Sequence, residues 1–183
     1  DIVFLPVADG YRNNSKKGVL FLDWVATNID TKFLIKTDDD IFWRPAPLIE
    51  YIATKIPLGY MWGFIDYISP VPQDIQDTFY NPKELYPFST FPTYPRGVLR
   101  VLSMDIVEGI SRKYRENKLR MIYGDDPNLG IHIRQLVLED KQSIVIDDFG
   151  SYSRFAMVPT CTPGWSSITN TTWVVHHVSA PQI

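Results

Sequence analysis

The chain has 183 residues, of which 45% are hydrophobic and 21% charged, with a formal net charge of −3 and one cysteine. This length suits one domain with a sizeable core, and the composition excludes an intrinsically disordered chain. The charge gives no general attraction to nucleic acid or acidic membranes, the lone Cys161 closes no intrachain disulfide, and no stretch approaches the roughly 18 apolar residues of a membrane span.

The sequence begins abruptly at Asp1-Ile-Val-Phe-Leu, which reads as the middle of a fold, so a fragment is expected. Ile2 to Val7 is a short apolar run suited to a buried strand. Asp9 to Asn14 is polar and turn-like. From Ser15 to Asn28, Val19, Leu22, Val25 and Ala26 recur at helical spacing. Phe33-Leu34-Ile35 predicts a second strand, running into Thr37-Asp38-Asp39-Asp40. Pro45 to Ile56 predicts a helix with proline in its first turn, and Tyr60 to Ile65 a third strand. Strand and helix alternate here, which argues for a mainly parallel sheet with helical crossovers.

Ser69 to Tyr94 carries prolines at 70, 72, 82, 87 and 92 among many aromatics. It predicts a long ordered loop, and loops of that length in compact domains are usually functional or disordered. Val98 to Leu102 reads as a strand, and Ser103 as the cap of a helix reaching about Asn117. Asp125 or Asp126 opens another helix, to about Leu136. Ser143 to Asp147 is a late strand, and residues 150–183 are loop-rich. No internal repeat or second-domain boundary is visible.

The aspartate triplet stands where an apolar strand ends. Residues i and i+2 of a strand share a face, so Asp38 and Asp40 are expected to point the same way from the carboxyl end of the strand. Ligands of open parallel sheets bind at the carboxyl ends of the strands. Adjacent carboxylates repel each other unless a cation neutralises them. Hard oxygen ligands suit Mg²⁺ or Mn²⁺, whose shells substrate phosphates usually complete, so a metal-bridged diphosphate leaving group is the natural chemistry. The plain alternative is a solvated acidic turn.

Phe33-Leu-Ile-Lys-Thr-Asp-Asp-Asp-Ile-Phe42 resembles a segment of the beta-1,3-galactosyltransferase family, which also holds beta-1,3-N-acetylglucosaminyltransferases and the Fringe enzymes. Four further stretches resemble that family in the same order. They are Asp9-Gly-Tyr-Arg-Asn13 with Lys17; Glu84-Leu-Tyr-Pro87 followed by Pro92-Thr-Tyr94, Gly97 and Val101-Leu-Ser103; Asp125-Asp126-Pro-Asn-Leu-Gly130; and Val175-His176 with Ser179.

The resemblance implies an inverting, metal-dependent transferase with an α/β fold. Its mostly parallel, mixed central sheet would be flanked by helices in the nucleotide-diphospho-sugar type A manner, without the N-terminal segment. Residues 1–183 would form a single catalytic domain. It implies a UDP-sugar donor carrying galactose or an N-acetylhexosamine, a glycan, glycoprotein or glycolipid acceptor, a beta-1,3 linkage and Mn²⁺ (or Mg²⁺) as cofactor. The setting implied is the Golgi or secretory lumen, within a type II membrane protein whose anchor lies outside this chain.

By position, Asp126 would be the general base. Asp40, Asp38 and His176 would serve the metal. Asp38, Asp39, Lys17 and Arg12 would serve the donor. Inversion independently requires a carboxylate that takes the acceptor's hydroxyl proton; the alternative for Asp126 is a helix N-cap, which aspartate favours. The sequence departs from the family's pattern at Arg100, where an aromatic is common, and at Pro127, where valine is usual. It also lacks basic residues between Pro72 and Tyr80.

Trp43, Trp62 and Tyr67 are candidates for an acceptor platform, with core packing as the alternative. Asn13-Asn-Ser15 and Asn170-Thr-Thr172 fit the N-glycosylation pattern. Two other readings compete with a transferase: a non-catalytic glycan- or nucleotide-binding remnant of the fold, and a metal-dependent phosphohydrolase. The latter would want further His and Asp ligands for a two-metal site.

Overall fold

The computed structural model describes residues 2–77, 79–149, 155–157 and 173–176. A short 3₁₀ turn, Tyr11–Asn13, leads into helix α1, Asn14–Asn28. Then follow strand β1, Phe33–Thr37, β2, Ile41–Trp43, helix α2, Pro45–Ala53, and β3, Tyr60–Asp66. Two short strands, β4 at Ser69–Pro70 and β5 at Thr90–Phe91, pair across the long loop. β6, Tyr94–Ser103, precedes helices α3, Met104–Arg115, and α4, Asp125–Glu139. β7 is Val145–Asp148, β8 Phe155–Met157 and β9 Val174–His176.

Among the described residues the central sheet has the order β1-β6-β3-β7. β6 runs antiparallel to both of its neighbours, whereas β3 and β7 are parallel. Strands β1, β3 and β7 therefore share one direction, and β6 alone opposes them. This is the expected α/β architecture, a mixed sheet flanked by helices.

Alternation along β6 builds both cores. Leu99 and Val101 face one side, against Leu48 and Ile52 of α2, Tyr60, Trp62 and Val174. Leu102 faces the other, against Leu22 and Val25 of α1, Ile106 and Ile110 of α3, and Leu129, Ile133 and Leu136 of α4. The period-2 rule puts Arg100 on that second face, so a charged residue enters the helical side of the sheet.

Several elements differ from the sequence reading. The run Ile2 to Val7 forms no strand; Ile2 and Phe4 are exposed, and an apolar run becomes a strand only beside a partner. β6 begins earlier than expected, at Tyr94, with a register shift against β3 between Gly63 and Ile65. Ser103 does occupy the N-cap of α3, but its hydroxyl makes no cap bond. Instead it accepts the Tyr60 N–H at 2.8 Å, tying β6 to β3.

The described residues of the long loop are packed through their aromatics. Val71, Tyr86, Phe91 and Tyr94 form a third cluster with Ile122 and Ile131, and the Tyr86 and Phe91 rings stack 5.3 Å apart. This cluster fixes the loop against α4.

Candidate active site

β1 ends at Thr37, whose hydroxyl donates to the Val98 carbonyl at 2.8 Å and pins the strand end to β6. The aspartates that follow lie in a turn before β2. Strand alternation therefore stops at Thr37, and the expectation that Asp38 and Asp40 share a strand face is corrected. Asp38 and Asp39 are exposed and Asp40 is half-buried. Lys36 reaches Asp38 at 3.5 Å.

The same corner receives the start of α4. Asp125 and Asp126 occupy its first turn, where the helix dipole favours negative charge. They do not cap it: the N-cap is Gly124, and no side-chain cap bond forms. Both carboxylates turn towards the sheet instead. Asp126 accepts the Gly97 N–H at 2.8 Å through one oxygen and Arg100 at 2.9 Å through the other. Asp125 accepts Arg100 at 2.6 Å and approaches Lys36 at 3.3 Å.

Gly97 is where the two acids meet. A Cβ built there would lie 2.9 Å from an Asp126 oxygen and 3.0 Å from an Asp38 oxygen. Carboxylates 88 positions apart thus flank a single residue without a side chain, at the end of the sheet where β1 finishes. Gly18 of α1 gives similar room to Asp125, since a Cβ there would lie 2.3 Å from its carboxylate.

Arg100 is the electrostatic centre of this corner, with its side chain only 4% exposed. Burial opposes its charge, but Asp125 and Asp126 more than offset that and raise its pKa. Burial would likewise raise Asp125, yet Arg100 and Lys36 hold it below the usual carboxylate range. Asp126 moves the other way. Burial, with the neighbouring Asp125 charge, lifts it above its ordinary value against the opposing pull of Arg100 and the Gly97 N–H. Adjacent acids are thereby driven apart in basicity, and Asp126 is the better proton acceptor of the two.

The other expected site residues divide. Lys17 pairs with Asp9 at 3.1 Å on the surface. The Arg12 guanidinium lies 5.2 Å from the centre of the Tyr123 ring. β9 pairs with β2 so that His176 stands opposite Ile41, the residue after Asp40. Among the described residues no three His, Cys, Asp or Glu side chains converge as a ready-made metal site. Trp62 is buried and packs 4.8 Å from Phe149, so core packing accounts for it. Trp43 packs against the same core, and Tyr67 is exposed beside Ile68 and Thr93. Asn13 donates its side-chain N–H to the Ala8 carbonyl at 3.0 Å. Cys161, Asn170, His177 and Ser179 lie outside the described residues.

Sequence reasoning noticed Arg100 only as a departure from a pattern. Its pairing with both acids of α4 is tertiary, and a lone arginine inside an apolar strand was the available signal.

Comparison with known proteins identifies the family. The profile of the family described as Galactosyltransferase matches residues 1–143. Beta-1,3-galactosyltransferase 1 of Homo sapiens is 29% identical over 147 residues, covering 78% of this chain and 44% of that protein. Beta-1,3-galactosyltransferase GALT1 of Arabidopsis thaliana is 30% identical over 138 residues, covering 74% and 21%. Hydroxyproline O-galactosyltransferase GALT6 of the same plant is 31% identical over 137 residues, covering 74% and 20%. The matched chain spans less than half the length of these relatives. The profile takes in the strand-end aspartates, Gly97, Arg100 and the acids of α4 alike, and the chain belongs to the galactosyltransferase family.

Proposed function

We propose that this chain carries the catalytic centre of an inverting glycosyltransferase. It would move galactose or an N-acetylhexosamine from a UDP-sugar to a hydroxyl of a glycan, glycoprotein or glycolipid, forming a beta-1,3 linkage. One observation carries the reading: Asp126 and Asp38, from opposite halves of the chain, meet across Gly97 at the carboxyl end of β1. A transferase needs this division of labour, with one acid for the acceptor and another on the donor side.

The acceptor oxygen attacks the anomeric carbon as the bond from that carbon to the diphosphate oxygen breaks. The proton leaves the acceptor for Asp126, and UDP departs with the bonding electrons. Asp126 is held for this by Gly97 and Arg100 on separate oxygens. Its raised pKa brings it closer to the working pH, where a base is most effective.

This reading includes a divalent ion on the donor side, held in part by the substrate. Mg²⁺ and ions like it are commonly held by one or two carboxylates plus substrate phosphates. Asp40 and the exposed Asp38 would hold Mn²⁺ or Mg²⁺, with His176 on the strand paired beside them. When bound, the ion would offset charge on the leaving diphosphate. Asp38 and Asp39 would also face the nucleotide, with Arg12 and Lys17 at the edge of the site. Family membership supports a Golgi or secretory-lumen setting, with any anchor outside this chain. No helix among the described residues is long and apolar enough to cross a membrane.

Asp126→Asn tests the reading. It preserves size and removes the basic oxygen, so transfer should fall roughly 10²–10⁴-fold while UDP affinity stays near wild type. Near-normal transfer would end the assignment. The Arg100 pairs favour a second reading, a non-catalytic glycan- or nucleotide-binding remnant, because they engage both acids of α4. That reading forecasts UDP binding by the unmodified chain without transfer to any acceptor.

A further inference from the structure

The start of α4 has an aromatic rim that the chemistry above leaves unused. The Tyr11 and Phe79 rings stand edge to face, with centroids 5.8 Å apart at 76°. Neither is core: Tyr11 is 51% exposed and Phe79 41%. Beside them the Arg12 guanidinium covers Tyr123.

This rim is rigidly tied to the acids. The buried Asn81 amide donates to the carbonyls of Phe79 and Tyr123, both at 3.0 Å, and accepts the Tyr123 N–H at 2.8 Å. Gly124, with φ 93°, lets the Phe79 ring close in; a Cβ there would lie 3.2 Å from that ring. Phe79 therefore abuts the residue immediately before Asp125. The pKa of Tyr11 is raised, first by burial and then by the charges of Asp126, Asp38 and Asp125.

We propose that Tyr11 and Phe79 form the acceptor subsite, a platform that stacks the apolar face of a neutral hexopyranose ring and presents its hydroxyl to Asp126. Two exposed rings packed against the start of the helix that carries Asp126 match what such an acceptor requires: an apolar face to cover and one hydroxyl to deprotonate. The acids Asp38, Asp77, Asp125 and Asp126 around Tyr11 disfavour an anionic sugar there. This inference rests on the transferase reading.

The test measures acceptor binding apart from transfer. The chain with UDP and Mn²⁺ is titrated with methyl β-D-galactopyranoside and with methyl β-D-N-acetylglucosaminide, followed by ligand-observed saturation-transfer NMR. Saturation should reach the ring protons of at least one glycoside. Tyr11→Ala and Phe79→Ala should each weaken that binding roughly 3- to 10-fold, the scale of one aromatic contact. Tyr11→Phe should keep it, and UDP affinity by calorimetry should not change. In turnover, acceptor KM should rise in the two alanine variants while donor KM holds. No saturation of either glycoside by the unmodified chain overturns the subsite, and so does wild-type affinity in both alanine variants. A normal transfer rate in Asp126→Asn would sink the base assignment alone, leaving this binding result to stand or fall separately.

Discussion

At the scale of single residues, the proposed chemistry and the stability of the fold draw on different atoms of the same corner. Gly97 matters because it has no Cβ: any side chain would intrude between Asp38 and Asp126. Such a requirement is invisible in the sequence, where Gly97 is one glycine among 10. His132, further along α4 than Asp126, has a structural role instead. It is buried, with Nε2 2.8 Å from the Arg120 carbonyl oxygen, and burial lowers its pKa from 6.5 to about 4. A base with a depressed folded pKa stabilises the fold only while neutral. Its contribution is complete above about pH 6.5 and is lost as pH falls towards about 4, because the unfolded chain then binds the extra proton. The full effect is at most about 3 kcal/mol. Urea midpoints should therefore fall between about pH 7 and about pH 4.5, and fall distinctly less in His132→Gln. Equal losses in both proteins would show that His132 is not held neutral by the fold.

At the scale of elements, the helix that carries the acids also holds the sheet together electrostatically. Lys36 of β1 and Arg100 of β6 are direct cross-strand partners, and like charges so placed are destabilising. Asp125 of α4 contacts both, at 3.3 and 2.6 Å, and so serves as their shared counterion. Asp125→Asn should destabilise the fold by roughly 3–5 kcal/mol, as loss of one partner of a buried pair does. Adding Lys36→Met should recover part of that loss, so that the double variant is less destabilised than the single changes summed. Chemical denaturation of the four proteins measures this, and strict additivity would refute the shared-counterion role. None of this pairing was legible in the sequence, although much of the framework was. α1 followed from Val19, Leu22 and Val25, and α4 from its acidic start. β2 went unnoticed because three residues, Ile41 to Trp43, are a strand only by virtue of β9. The opening of β6 was hidden by Pro95 and Gly97. Ile2 to Val7 shows the converse: apolar sequence without a partner strand is not enough.

At the scale of the whole molecule, the proposed donor side is assembled from distant parts of the chain. The turn after β1 supplies the aspartates, and the β2–β9 pairing brings position 176 beside them. The motifs made these residues conspicuous in the sequence, but only the tertiary register shows why residues so far apart could act on one ligand. A ligand that binds only this assembled state should stabilise the whole fold. Saturating UDP at about 100 times its Kd is worth about 2.7 kcal/mol, which at this chain length raises Tm by roughly 5–10 °C. That rise should require Mn²⁺ and vanish on chelation, because the proposed contact to the diphosphate runs through the metal. Asp40→Ala, read against its own ligand-free Tm, tests this. It should lose the Mn²⁺-dependent rise with UDP. Asp126→Asn should keep that rise, because the proposed base belongs to the proposed acceptor side, and thermal melts of the two variants side by side separate donor binding from proton transfer. A full UDP shift in Asp40→Ala, or an equal shift in the presence of chelator, would remove Asp40 from the metal role and leave the turn as a solvated acidic loop.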